Sequence, residues 1–266
     1  MKEIALEIAA RSGDQKLNIL REYLQNEILF ILQTSRFADS LLFVGGTALR
    51  FLYGTGRFSE DLDFSAGGEW HRRSLGAMAA RILKELTESG YEVVVPFKDE
   101  KTIARVSVRF TRILQEAGLS RRRGQVLALN IEIDARPPAG WIEERTIVNL
   151  HIPVLLRHYD KPSHFAGKIA AFLTRPYTKG RDVYDLVWFR SKWKELLPNL
   201  TLLNNALAQN KTYEASITEV NWIEAVATKA ARLDWDDAVR DVLPFLEDPR
   251  EADLLGPKNF KLLYRA

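Results

Sequence analysis

The stretch SLLFVGGTALRFLYGTGRFSEDLDFS, residues 40–65, constrains the fold more than any other part of the chain. Four apolar residues, Leu41 to Val44, run straight into Gly45, Gly46 and Thr47. Such a run is too short and too uniformly apolar for a surface helix; it reads as a buried strand that ends at the glycine pair. A short amphipathic segment follows (Ala48, Leu49, Phe51, Leu52), and Gly54 and Gly56 break it. Residues 61–65 read as the partner strand, with Leu62 and Phe64 on the face opposite Asp61 and Asp63.

This order has chemical content. A glycine pair that closes a strand and opens a helix leaves backbone N–H groups and the positive helix end open to phosphate, with no Cβ in the way. Thr47 is placed to cap that helix or to touch a phosphate oxygen. Asp61 and Asp63, two apart on a strand, aim both carboxylates to one side, a geometry that suits Mg2+ bridging phosphates. Neither motif says much alone, since glycine pairs usually mark turns and paired aspartates usually sit at solvated strand ends. GGT followed 14 residues later by DLD is more specific. A third carboxylate is expected on a neighbouring strand, to complete the metal site or to deprotonate an acceptor hydroxyl. NIEID supplies two, Glu132 and Asp134, which alternate onto one face. Both remain open, as does their use as salt-bridge partners for arginines of the adjacent strand.

The rest of the chain divides by pattern. Residues 2–33 predict a short and a long amphipathic helix, with Asp14 as N-cap of the second. Glu69 to Ser89 reads as a helix stopped by Gly90. YEVVVPF (91–97), a polar turn at Lys98 to Lys101, and TIARVSVRF (102–110) follow; the last alternates, with Arg105 and Arg109 on its polar face. VLALNIEID (126–134) is another strand, RPPAG a breaker, and 146–150 and 152–156 edge strands. From about His158 the patterns are helical: FAGKIAAFLTRP, RDVYDLVWFRSKW, a segment near Leu200 to Gln209, TEVNWIEAVATKAARL and WDDAVRDVLPFL. The reading is an α+β protein: a mixed sheet flanked by helices over 1–157, then a helical domain over 158–266. Within the latter, Lys168 and Arg175 share a helix face, and Arg181 and Asp185 form an i,i+4 pair with Asp182 offset. Such cations suit triphosphate oxygens, and equally suit a helix hairpin held by ion pairs.

Composition removes several function classes. The chain has no cysteine, so disulfides and thiolate metal sites are excluded. His71, His151, His158 and His164 show no metal-ligand spacing, which argues against a zinc enzyme. No apolar run approaches the roughly 20 residues of a membrane span, and the charged N-terminus does not read as a signal peptide. A cytoplasmic protein without membrane partners is expected. The net charge is only +3, yet Lys98 to Arg123 holds eight basic residues against three acidic ones. That excess suits a polyanionic partner or a solvated face.

Taken together, GGTAL (45–49), RFSEDLDF (57–64), IEIDARPP (131–138) and AGKIAAFLTR…KGRDVYDL (166–186) resemble the AbiEii/AbiGii-type toxins of the DNA polymerase β-like nucleotidyltransferase superfamily. The resemblance implies a nucleotidyltransferase that uses Mg2+ held by Asp61 and Asp63, with Glu132 or Asp134 alongside. It implies nucleotide contacts from Gly45, Gly46, Thr47, Arg57, Ser59, Lys168 and Arg181. Lys168 would bind triphosphate or assist catalysis, and one acid of RDVYDL, Asp182 or Asp185, would be essential. Some relatives add nucleotides, often pyrimidines, to the 3′ end of tRNA and block translation, and most are paired with an antitoxin protein. Two other readings compete: a transferase acting on a small molecule or a protein hydroxyl, and a non-catalytic NTP-binding module. The basic region argues against a cationic small-molecule acceptor, and the intact aspartates against the module.

Overall fold

The computed structural model describes residues 1–68, 70–100, 102–122, 124–210 and 216–265; Glu69, Lys101 and Arg123, which figured in the expected helix, turn and basic region, lie outside them. The chain forms two compact units, one of residues 1–53, 58–136 and 144–158, the other of 54–57, 137–143 and 159–266. Two short stretches, 54–57 and 137–143, thus belong with the C-terminal residues.

The first unit is built on a mixed eight-stranded sheet. Its strands are β1 (Leu41–Val44), β2 (Leu62–Ala66), β3 (Val93–Val94), β4 (Phe97–Asp99), β5 (Ile103–Phe110), β6 (Leu127–Asp134), β7 (Glu143–Val148) and β8 (Val154–Tyr159). The order is β3-β5-β6-β2-β1-β8-β7, with β4 also on β5. β2 runs antiparallel to β1 and parallel to β6, and β8 runs parallel to β1. Strand β8 therefore lies inside the sheet, and of these two strands β7 alone takes an edge. YEVVVPF is not one strand: it breaks into β3 and β4 at Pro96, whose nitrogen has no hydrogen for the ladder.

Among the described residues, the α-helices of this unit are α1 (Lys2–Ala10), α2 (Lys16–Thr34), α3 (Gly45–Tyr53), α4 (Ser74–Glu88) and the single turn α5 (Ile113–Glu116). α4 starts at Ser74, and Asp14 does not cap α2. It lies in a 3-10 turn, Gly13–Gln15, and the helix starts after Gln15 with no side-chain cap. Leu24, Ile28, Phe43, Phe64, Met78, Ile82, Val106, Val108, Ile131 and Ile133 are buried in one core. Strand alternation then leaves Arg105 and Arg109 of β5 exposed on the opposite face.

The second unit is helical: α6 (Lys161–Thr174), α7 (Gly180–Lys192), α8 (Leu200–Asn210), α9 (Trp222–Ala230), α10 (Trp235–Val242) and α11 (Pro257–Leu263). Asp160 caps α6 by accepting from the Ser163 N–H, and Pro162 sits in the first turn where no N–H is needed. Rings fill the interior, with Phe165 stacked on Phe189 at 4.9 Å and edge-on to Trp222 at 5.6 Å. Gly180 lets α7 start against α10, because a methyl there would overlap the Ala238 carbonyl. Backbone cannot yield as a flexible side chain would. Gly180→Ala is therefore expected to cost about 1–3 kcal/mol of stability. A denaturant midpoint unchanged from wild type would contradict that packing.

Candidate active site

The sheet register of the first unit assembles the acidic cluster. Val44, the last residue of β1, pairs with Asp63, so the start of α3 lies beside that carboxylate. Gly45 has φ +80°, and a methyl on its Cα would overlap the Asp63 carboxylate. Only glycine combines that backbone with so close an approach. Thr47 is buried and donates its hydroxyl to the Asp61 carbonyl, which ties the helix start to the foot of β2. That bond takes its hydroxyl hydrogen, and the N–H groups of the first turn of α3 have no acceptor within the helix.

On the other side of β2 the parallel pairing sets Asp63 against Glu132, and Ser65 against Asp134. Glu132 is thus the direct neighbour of the DLD motif, and Asp134 stands one pair further along. Asp134 also spends one oxygen on the backbone N–H of Arg136. Its pKa is raised, because burial outweighs that bond. Asn130 completes the row by donating its amide to Asp61 at 3.0 Å. On the next strand Arg105 pairs with Glu132, at 2.7 Å, and Lys98 of β4 lies opposite Arg105. One row across four strands therefore reads Asp63, Glu132, Arg105, Lys98.

Helix α2 supports this arrangement with a buried polar row. Gln25 donates to the Ser59 carbonyl at 3.1 Å, just ahead of β2. Glu22 takes Arg50 of α3 at 2.6 Å, and Glu27 accepts from Tyr91 at 2.7 Å. Asn26 accepts from the N–H groups of His151 and Ile152 and donates to the Ile152 carbonyl. Helical periodicity hides these residues, because polar side chains opposite an apolar stripe look solvated. Asn130 did leave a signal, as it precedes Glu132 and Asp134 in the same alternation.

The second unit gathers Arg57, Lys168, Arg175, Asp182 and Asp185. Asp185 is fully buried and accepts from both Nε and Nη2 of Arg57, each at 2.6 Å. Lys168 Nζ lies 2.8 Å from its Oδ2 and 3.8 Å from Asp182, and Arg175 pairs with Asp182 at 3.0 Å. Arg181 is placed elsewhere, with its backbone N–H on Asp241 and its guanidinium 4.4 Å above Phe245. Burial opposes ionisation of Asp185, but Arg57 and then Lys168 outweigh it and hold the pKa below 3.8.

Among the described residues, no three acidic or histidine side chains converge closely enough to hold a metal ion by themselves. Mg2+ does not require that. It is usually held by one or two carboxylates, with substrate phosphates and water completing its shell. Asp61 just ahead of β2 and Asp63 within it, beside a helix start, supply the oxygen ligands that such an ion takes.

A family model described as nucleotidyl transferase AbiEii toxin, type IV toxin–antitoxin system, matches residues 27–257. Two crystal structures share the fold at 20% identity and a TM-score of 0.54 each. One is JHP933 from Helicobacter pylori, matched over 93% of this chain and 92% of that one. The other is a candidate nucleotidyltransferase from H. pylori, matched over 95% and 96%. No curated protein matches the sequence.

The Asp185 geometry has a pH signature. A carboxylate whose folded pKa is depressed contributes stability in full above its unfolded pKa, and loses it as pH falls through the folded pKa. Asp185→Asn is expected to cost about 3–5 kcal/mol near pH 6. Denaturant titrations should show the gap to wild type narrowing below pH 3.8. A gap that widens on acidification would contradict the ionised pair.

Proposed function

The chain belongs to the AbiEii family of nucleotidyltransferase toxins of type IV toxin–antitoxin systems, and from that premise we propose that it transfers a nucleotide from an NTP to RNA with Mg2+. The observation that carries the reading is the register that sets Asp61 and Asp63 beside Asn130 and Glu132, next to the start of α3. Asp61 and Asp63 are the proposed metal ligands, Glu132 the third carboxylate, and the N–H groups at Gly45 and Gly46 the phosphate contacts. Bound there, Mg2+ would neutralise charge on the phosphates and on the oxygens that attack and leave.

The reaction balances without a covalent enzyme intermediate. The acceptor hydroxyl attacks the α-phosphorus, a P–O bond forms, the α–β bridging P–O bond breaks, and pyrophosphate leaves. The hydroxyl proton passes to a carboxylate, for which Glu132 is best placed by its pairing with Asp63. Asn130 holds Asp61 in orientation from the side. In the second unit the Lys168 ammonium lies opposite Asp182 and Asp185 in a group of cations that includes Arg57, Arg175 and Lys179. Lys168 is the residue of this group that we propose as a triphosphate ligand.

RNA, and tRNA in particular, is the acceptor we favour. Arg105 and Arg109 lie on the exposed face of the sheet, on which β6 also carries Glu132. Exposed arginines suit a phosphate backbone far better than a cationic small molecule. An antitoxin protein as partner, and action in the cytoplasm, belong to the same reading; no helix among the described residues is long and apolar enough to cross a membrane.

Incubation of the protein with total RNA, Mg2+ and each labelled NTP in turn should label an RNA band in a Mg2+-dependent way. The Asp61→Ala/Asp63→Ala variant should label it less by a factor of about 10³ or more. Equal labelling by that variant would exclude the two aspartates, and label found only on protein would move the acceptor to a protein hydroxyl.

A further inference from the structure

The RDVYDL segment offers two acids, and their surroundings differ in a way that bears on what each can do. Asp185 is 0% exposed, and its two oxygens receive three cationic donors from Arg57 and Lys168. A carboxylate in that state has no oxygen to present to a metal, a water or a substrate hydroxyl. Arg57 is equally enclosed, at 2% exposure, with its Nε and Nη2 directed at Asp185. Burying two charges is costly unless both are paired with good geometry, and this fork-on-fork pair is the geometry that repays the cost.

What the pair holds is a short piece of chain with a particular address. Residues 54–57 connect the end of α3, the proposed phosphate helix, to the segment that enters β2 with Asp61 and Asp63. In the second unit they are fixed at several further points. The Gly56 carbonyl accepts from the Glu247 N–H at 2.8 Å, and Arg57 forms an isolated antiparallel bridge with Leu246. Tyr184, next to Asp185 in sequence, donates to Glu251. A methyl at Gly56 would come within 2.8 Å of the Tyr184 hydroxyl and of the Glu251 carboxylate, so only glycine passes there without displacing them. Asp185 also holds Lys168, whose side chain is 12% exposed and keeps donors to spare.

We infer that Asp185 is a positioning residue and not a catalyst: it locks Arg57, and through it residues 54–57, while orienting Lys168. The inference rests on the nucleotidyl-transfer reading for its effect on activity, and on geometry alone for its effect on the chain. The surroundings of Asp182 differ. It holds Arg175, itself partly exposed, and lies at the longer distance from Lys168.

Two measurements on the full-length protein decide the matter. The first is hydrogen exchange in wild type and Asp185→Asn, which does not depend on any activity. Amides of residues 54–60 should exchange faster by about tenfold or more in the variant, while those of β6 keep their protection. Unchanged protection at 54–60 would overturn the inference, even if the wild type proves inactive on every NTP and the functional reading falls. The second is nucleotide transfer by Asp185→Asn and, separately, by Arg57→Gln, each of which breaks the same pair from one side. Both should lose about 10- to 100-fold in kcat/KM with the pH profile unmoved. An Arg57→Gln variant with wild-type kcat/KM beside an impaired Asp185→Asn, or an Asp185→Asn profile that has lost a titrating limb, would make Asp185 a catalyst.

Discussion

Gly45 combines two requirements that only glycine meets, a left-handed backbone and a close approach to a side chain. Its backbone takes φ +80° and passes so close to Asp63 that no side chain fits. That one approach fixes three things together: where β1 ends, where α3 begins, and where the second aspartate of DLD points. The neighbouring contacts reinforce it. Thr47 ties the helix to the Asp61 carbonyl, Asn130 holds the Asp61 side chain, and Gln25 holds the Ser59 carbonyl just upstream.

Charge is handled differently in the two units. In the sheet unit the acids lie on a partly open face and the cations begin one strand away, with Arg105 against Glu132. In the helical unit the charges are interior, and Arg57, Lys168 and Asp185 compensate each other away from water. The first arrangement is suited to exchanging partners, since the Arg105–Glu132 pair is partly open to water. The second is suited to staying put, since separating a buried pair exposes an uncompensated charge.

Much of the candidate site was legible because it is local in sequence. The apolar run ending at Gly45 and Gly46, the alternation in DLDFS and the alternation in NIEID each carry their structure within a few residues. The same holds for the helical second half, where apolar spacing suffices. What could not be read is non-local. Arg57 and Asp185 are 128 positions apart, and nothing near Arg57 marks it as a buried cation. The polar row of α2 looked solvated because its partners, Arg50, Ser59, Tyr91 and the 151–152 backbone, lie on other elements. The choice between Glu132 and Asp134 likewise depends on strand register, which alternation leaves open by two residues.

The central claim is that Asp61 and Asp63 hold the metal that serves a bound nucleotide, and Mn2+ as a paramagnetic substitute reads this most directly. Electron paramagnetic resonance titration of the protein with Mn2+ and a non-hydrolysable NTP should show bound Mn2+ in wild type. The bound signal should weaken at least tenfold in affinity when Asp61 and Asp63 are both replaced by Asn. Equal Mn2+ binding by that variant, with its fold intact by circular dichroism, would contradict the account at its base.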